Sequence, residues 1–178
     1  MSTASTRIRS FALLPLLVAL ALSGCGGASG FPNEPAGGVG GLAWSSPAGE
    51  DLKSSEGLPS AIPASVISFE PLGGPAKGLK SFFRPERDEL WGLPPARPQY
   101  LFHDDGLCAV VFSLDGPGRQ PLVGKFGEPH AEKKDGPYTS LFWYGKVADV
   151  ELRGGGPVAS GDVVLVTHRA TFQKLAAQ

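Results

Sequence analysis

Apolar residues along this chain gather in short runs that are separated by glycine and proline. Several of these runs alternate with polar residues, which is the pattern of β-strands rather than of long helices. The folded domain is predicted to begin near Ser65, where β character first becomes clear. The sequence predicts strands at residues 66–69, 79–84, 100–102, 107–114, 140–144, 147–152 and 162–168.

Two pairs of these strands carry the features of β-hairpins. The first pair flanks residues 103–106, where an Asp-Gly step indicates a tight turn because glycine accepts a positive φ. Its second strand, 107–114, is apolar on both faces, which predicts a central strand covered on each side. In the second hairpin Asp149 and Glu151 alternate with apolar residues, so one face of that strand is expected to meet water.

Helical patterns are short in this chain. Pro121 fits the first position of a helix that ends before Gly127, and residues 170–178 are predicted to form a further helical turn. The charged segment 128–137 is predicted to be a loop. Together these elements predict an α+β fold, a small antiparallel sheet of about five to seven strands with one or two short helices on one face.

The N-terminal region has a different pattern. Arg7 and Arg9 precede an apolar run at residues 11–22, which ends in the tetrapeptide Leu22-Ser23-Gly24-Cys25. The run is shorter than the roughly 18 apolar residues that a spanning helix needs, but it suits a signal peptide. The order of positive charge, apolar run, small residues and cysteine resembles the lipobox of bacterial lipoproteins.

This resemblance implies how the chain is processed and where it is held. Signal peptidase II cuts lipoproteins just before the cysteine, so residues 1–24 are expected to be a signal peptide and Cys25 the lipidated first residue. Several acyl chains attach a protein stably, whereas one holds it only marginally. Gly26 is not the aspartate that favours inner-membrane retention, so the expected location is the cell envelope, at the outer membrane. An ordinary secretory signal with a coincidental cysteine is the alternative.

Residues 25–64 are predicted to be a flexible tether between this anchor and a single domain at residues 65–178. Half of the tether is Gly, Ser or Pro, a composition that buries too little apolar surface to offset the entropy of ordering. As a random coil it would span on the order of 35 Å. Trp44 lies inside it and is expected to be an exposed aromatic residue, with a docking role as the alternative.

Charge and cysteine content exclude several classes of protein. The chain has 16 basic and 17 acidic residues, and neither sign is gathered into a patch, so no nucleic-acid partner is expected. A lipidated Cys25 could not form a disulfide, which leaves Cys108 alone in an apolar strand. Cys108 is therefore interpreted as a small buried hydrophobe rather than as a nucleophile.

The sequence carries no recognisable catalytic or metal-binding pattern. Its histidines are His103, His130 and His168, and none has a second ligand at a zinc-type spacing. His103, Asp104 and Asp105 are interpreted as turn-forming residues at the tip of the first hairpin. Neither a serine elbow nor a phosphate-binding loop occurs. We therefore predict no catalytic residue, no metal site and no cofactor.

Aromatic residues are dense for so small a domain. Trp91 is expected to pin a proline-rich loop at residues 84–98. Side chains alternate between the two faces of a strand, so Trp143 and Tyr144 must point in opposite directions. Trp91, Trp143 and Tyr144 are therefore the candidates for contact with a protein partner in the envelope.

Two functional hypotheses follow. The leading one is a lipid-anchored envelope protein with a binding or structural role and no catalytic activity. The other is a periplasm-facing hydrolase, or a hydrolase inhibitor, that uses His103, Asp104, Asp105 or His168, which are expected to lie on separate turns. Residues 65–176 also resemble small domains of bacterial envelope lipoproteins that share a tyrosine-rich strand and a tryptophan hairpin. That resemblance implies a type of fold and no activity.

Overall fold

The computed structural model describes residues 30–55, 79–85, 90–93, 98–155 and 161–176. Within these ranges the chain forms an eight-stranded antiparallel sheet, a separate two-stranded ribbon and two helices. The predicted α+β class is confirmed in this broad sense. The main sheet, however, has more strands than the five to seven that the sequence predicts.

The elements are short and follow one another closely along the chain. The strands are β1 (Gly38–Val39), β2 (Leu42–Ala43), β3 (Lys53–Ser54), β4 (Lys80–Phe83), β5 (Gln99–His103), β6 (Gly106–Ser113), β7 (Ala131–Asp135), β8 (Tyr138–Tyr144), β9 (Ala148–Gly154) and β10 (Val163–His168). The helices are α1 (Arg119–Phe126) and α2 (Arg169–Ala176). In the main sheet the strands lie in the order β3-β4-β5-β6-β10-β9-β8-β7, and all neighbours are antiparallel.

β6 is the central strand that the sequence predicts. It lies between β5 and β10, so that Val110 is opposite both Tyr100 and Val166. Every residue of β6 between its two ends is buried, because Val110 belongs to the core on one face and Val111 to the core on the other. A strand covered on both faces has a continuous apolar sequence rather than an alternating one.

The hairpin between β5 and β6 forms as predicted, but the residues with a positive φ are the two aspartates of the turn rather than its glycine. Asp104 (φ 48°) and Asp105 (φ 61°) both adopt the left-handed conformation, which is the pattern of a two-residue type I′ turn. Gly106 follows the turn and is needed for another reason. A Cβ atom on Gly106 would lie 3.2 Å from Cα of Ser45, whose backbone crosses the hairpin there.

The larger core lies between the sheet and α1. Leu122 and Phe126 of α1 are fully buried, and the Phe126 ring meets the Trp91 ring edge to face with centroids 5.1 Å apart. The helix ends as predicted at Gly127, which has a φ of 79°. It begins two residues earlier than predicted, so Pro121 is the third helical residue rather than the first.

A smaller core lies on the opposite face of the sheet and is covered by α2, so the prediction that the helices share one face is wrong. Phe172 of α2 and Leu165 of β10 pack against it, which confirms the predicted helical tail. Its buried members are Leu101, Cys108, Ala109, Val111 and Val163. The Cys108 thiol is fully buried and donates to the carbonyl oxygen of Leu101 at 3.2 Å. Burial raises the pKa of this thiol to about 12, so the interpretation of Cys108 as an unreactive hydrophobe is confirmed.

Residues 30–55 pack on the sheet, so the prediction of a flexible tether is wrong for this stretch. Val39 and Leu52 are buried, with exposed fractions of 2% and 8%, and β3 pairs with β4 at one edge of the main sheet. The tether was predicted from average composition, which conceals the apolar side chains that recur between the glycines and bury on the sheet. Residues 25–29 and 56–64 of that tether lie outside the described residues.

Trp44 also differs from its prediction. Its ring is half-buried and stacks on His168 with centroids 5.5 Å apart and planes 12° from parallel. Its Nε1–H group donates to the carbonyl oxygen of Pro35 at 2.8 Å. Trp44 is therefore a packing residue that attaches the N-terminal segment to the end of β10, and not an exposed aromatic.

The charged segment 128–137 is not a loop, because it contains β7. This strand pairs along its whole length with β8, for example Glu132 opposite Leu141. β7 is the last strand of the sheet, a position where charged side chains face water and discourage pairing with another chain. The charged residues of β7 therefore gave this strand the sequence pattern of a loop. The predicted strand at residues 66–69 and parts of the predicted loop 84–98 lie outside the described residues.

Candidate functional site

The predicted lipidation residue, Cys25, lies outside the described residues. The nearest residue that the structure describes is Gly30, five positions later in the chain. In the described part of the chain, neither helix has the length and apolar composition that crossing a bilayer requires.

Two of the three aromatic residues predicted to contact a partner belong to the core. Trp143 has an exposed fraction of 0%, and its Nε1–H group donates to the carbonyl oxygen of Gly127 at 2.9 Å. The prediction of a partner contact is therefore wrong for Trp143. Trp91 is half-buried, and its ring lies edge to face against Phe112 and Phe126, with centroids 5.7 and 5.1 Å away. Its main contacts are thus with the core.

Tyr144 is the predicted contact residue that reaches the surface. Its exposed fraction is 41%, and among the described residues it is the one large hydrophobic residue that is exposed. Its ring lies nearly parallel to the rings of Phe142 and His130, with centroids 5.9 and 6.2 Å away. Its backbone N–H group also donates to Nδ1 of His130 at 2.8 Å. Tyr144 thus lies at the end of β8 beside two other rings.

A groove of about 270 Å³ lies where the β5–β6 turn approaches α2. It brings together polar side chains from three distant parts of the sequence. Its lining residues are Ser45, His103, Asp104, Gly106, Thr171, Lys174 and Leu175. The groove depends on the close approach of the N-terminal segment to Gly106, which the sequence did not indicate.

Some of the histidine and aspartate candidates line this groove and others do not. His103 and Asp104 line it together, with Nδ1 of His103 3.3 Å from Oδ2 of Asp104. Asp105 instead pairs with Lys80 at 2.7 Å. His168 does not line the groove, but its Nδ1 atom lies 2.8 Å from Oγ1 of the lining residue Thr171. The expectation that these side chains lie apart is therefore wrong for His103 and Asp104, which share one cavity. Asp105 belongs to the same turn but does not line the groove, and His168 lies at the end of β10.

A pair of carboxylates on β9, Asp149 and Glu151, forms a second polar cluster that sequence reasoning did not select. They lie on the same face of the sheet, opposite Tyr144 and Phe142 of β8. Oδ1 of Asp149 accepts a hydrogen bond from the backbone N–H of Gly145 at 2.9 Å. The alternation of Asp149 and Glu151 with apolar residues was visible in the sequence, and the hairpin register could have placed both beside Tyr144.

Burial dominates the electrostatics of this cluster. Burial raises the pKa of Asp149 and of Glu151 above their usual values, against the opposing effect of nearby hydrogen-bond donors. The pKa of the Tyr144 hydroxyl is also raised, first by burial and then by the negative charges of the two carboxylates. Perturbed titrations in one place are a feature of functional sites, although structural networks produce them as well.

The hydrogen bonds of the carboxylate pair favour a structural role. Asp149 is held by Gly145 and by Arg169, whose Nη1 atom lies 3.4 Å from Oδ1. Oε1 of Glu151 accepts from the Ser140 hydroxyl at 2.8 Å. Among the described residues, no group of three or more His, Cys, Asp or Glu side chains is arranged to hold a metal ion.

Comparisons with protein-family models, with curated proteins and with solved structures find no match for this chain.

Proposed function

We propose that this chain is a lipid-anchored protein of the bacterial cell envelope whose folded domain acts by binding or structural support. The observation that carries the proposal is the order of features at residues 7–25, where two arginines, an apolar run and small residues precede Cys25. In this proposal residues 1–24 are removed, and Cys25 carries the acyl chains that hold the protein at the membrane. Gly26 favours the outer membrane.

The surface chemistry supports binding over catalysis. The carboxylates with raised pKa values, Asp149 and Glu151, are each engaged by a donor of the fold. General acid–base catalysis needs such a group within reach of a substrate proton. Tyr144, in contrast, is exposed, and its ring lies nearly parallel to the rings of Phe142 and His130. An exposed aromatic side chain is a common anchor in protein–protein contacts, so Tyr144 is the residue through which we propose contact with an envelope protein.

The anchor is tested by the intact mass of the protein extracted from membranes. We expect the wild type to begin at Cys25 with the added mass of its acyl chains, and Cys25→Ala to lose that mass and the membrane association. Cys108→Ala is the matched control, because it removes the other cysteine and should leave acylation unchanged. A wild-type protein with an unmodified Cys25 would overturn the proposal.

The binding role is tested at Tyr144. Tyr144→Ser should weaken a saturable interaction with an envelope partner, measured by cross-linking in intact cells, without unfolding the domain. Tyr138→Ser is the control, since Tyr138 belongs to the same strand but lies at its other end. Equal binding by wild type and Tyr144→Ser would remove Tyr144 from the contact.

A hydrolase or hydrolase inhibitor is the second candidate function, and the groove favours it. His103, Asp104 and Thr171 line one cavity together with Lys174. In this case His103→Ala and Asp104→Ala should each abolish turnover or inhibition while the unfolding midpoint is retained. Asp105→Ala is the control because Asp105 pairs with Lys80. Unchanged activity in both groove variants would exclude this function.

A further inference from the structure

The part of the chain that the structure describes begins close in sequence to the proposed anchor. Gly30 lies only five residues after Cys25. A chain of n residues spans at most about 3.3–3.6 Å per residue, so these two Cα atoms cannot be more than about 18 Å apart, whatever conformation joins them. A tether of 40 residues would have allowed the domain to move far from the membrane. The short connection does not.

The first residues that the structure describes are attached to the rest of the domain beside one turn of the main sheet. The ring of Phe31 meets the ring of Phe126 edge to face, with centroids 5.2 Å apart. Oε1 of Glu34 accepts hydrogen bonds from the backbone N–H groups of Val147 and Ala148 at 2.6 and 3.1 Å. These contacts attach the segment beside the β8–β9 turn, so this end of the sheet must lie nearest to the anchor.

The surface at this end has the chemistry of a membrane interface. We call it the anchor-proximal surface and define it by Gly30, Phe31, Pro32 and Lys146. A shallow groove of about 390 Å³ lies on it, lined by the first three of these residues together with Glu34 and Lys146. Lysine suits the boundary between lipid headgroups and water, because it combines an apolar stem with a charged tip.

The charges on this surface are arranged for an anionic layer. Lys146 is exposed at the tip of the β8–β9 turn. The carboxylate of Glu34 is half-buried and accepts from two backbone N–H groups, so its charge is compensated inside the fold. The neighbouring carboxylate of Asp149 is compensated by the Arg169 guanidinium at 3.4 Å. Lysine near a surface of anionic lipids is attracted to it.

We propose that the anchor-proximal surface rests on the headgroup layer of the membrane that holds Cys25. The acyl chains supply the attachment, and the surface sets the orientation of the domain, with Lys146 toward lipid phosphates. The opposite end of the sheet, where the β7–β8 turn lies, then faces away from the membrane. This inference rests on the proposed function because it requires acylation of Cys25.

The test uses the full-length acylated protein in vesicles of phosphatidylcholine and phosphatidylglycerol that contain a headgroup-labelled quencher lipid. A fluorophore is attached at Pro32→Cys and, as the control, at Lys134→Cys, so that Lys146 stays in place. Both residues are exposed; Pro32 lines the shallow groove beside Lys146, and Lys134 lies near the β7–β8 turn at the far end of β8. Cys108 can stay in place because its thiol is buried and has a pKa of about 12.

We expect quenching at position 32 to be at least about threefold stronger than at position 134, since the length of β8, about 20 Å, separates the two ends of the sheet. Equal quenching, or stronger quenching at position 134, would overturn the inference. The intact mass of the same preparation separates the two proposals. A chain without acyl chains overturns both, whereas an acylated chain with equal quenching overturns only the orientation.

Discussion

Glu34 offers a direct test of whether the segment before the first predicted strand belongs to the fold. Its Oε1 atom accepts hydrogen bonds from the N–H groups of Val147 and Ala148, which lie 113 and 114 residues away in the sequence. Glu34→Ala removes this acceptor and leaves both donors at the β8–β9 turn without it. Hydrogen bonds to a charged group contribute about 1.5–3 kcal/mol, and this one is partly exposed. We therefore expect the free energy of unfolding to fall by about 2 kcal/mol.

The pH dependence of this contribution has a definite sign. Burial alone would raise the pKa of Glu34, but the backbone N–H groups of Val147 and Ala148 outweigh burial and lower it below the ordinary value of 4.5. A carboxylate whose pKa falls on folding contributes stability above its unfolded pKa, and this stability is lost as the pH falls through the folded value. The difference between wild type and Glu34→Gln should therefore shrink as the pH drops below 4.5.

Urea unfolding followed by tryptophan fluorescence measures these differences, on a chain that begins at Gly26. Glu50→Ala is the control, because Glu50 is an exposed glutamate of the same segment and should change stability by less than about 0.5 kcal/mol. If Glu34→Ala and Glu50→Ala were equally stable at neutral pH, residues 30–55 would be the flexible tether that their composition predicts, and the reasoning would be refuted.

Three further predictions concern the two cores and the carboxylate pair. Phe126→Ala should lower the free energy of unfolding by about 3–5 kcal/mol, because the ring is fully buried; a loss below about 1 kcal/mol in urea unfolding would contradict this. Cys108 should react with iodoacetamide only when the domain unfolds, because burial raises its pKa to about 12; mass spectrometry of the folded protein should find no adduct. Glu151→Gln should stabilise the domain at neutral pH, because burial raises the pKa of Glu151 in the folded state and so penalises its charged form. This gain should disappear below the unfolded pKa, and a loss at neutral pH would mean that the Ser140 hydrogen bond outweighs burial.

The parts of the fold that were predictable are those specified by neighbouring residues. The two hairpins and the central strand follow from turn residues and apolar runs, which act over a few positions. β6 is the clearest case, since its uninterrupted apolar sequence requires cover on both faces. The same reasoning placed the end of α1 at Gly127, whose left-handed backbone closes the helix.

The parts that were missed depend on contacts between distant residues. β7 is an edge strand with charges at most positions, so only its pairing with β8 identifies it. Val39 and Leu52 are isolated among glycines and serines, and their burial depends on a sheet that forms far along the chain. A composition average cannot detect such residues, because it weighs a few buried side chains against many polar ones.

The candidate site shows the same limit at the level of single side chains. Alternation along β8 correctly implied that Trp143 and Tyr144 point to opposite faces. The alternation does not show which face of the sheet α1 covers. The position of α1 determines that Trp143 is buried and Tyr144 is exposed. Likewise, His103 and Asp104 share a groove only because the N-terminal segment and α2 approach their turn. Neither approach leaves a local signal in the sequence.

The two candidate surfaces lie at the same end of the sheet, so the functional hypotheses depend on each other. His103 pairs with Gly106 at the end of the β5–β6 hairpin, and Ala148 pairs with His168 beside the β8–β9 turn. If the anchor-proximal surface rests on the membrane, the groove at His103 lies near the headgroups, where a long polymer has little room to enter. Its ligand must then be small or come from the membrane surface. A hydrolase assay on the detached domain would sample the wrong conditions, so the second hypothesis has to be tested on the acylated protein in its membrane.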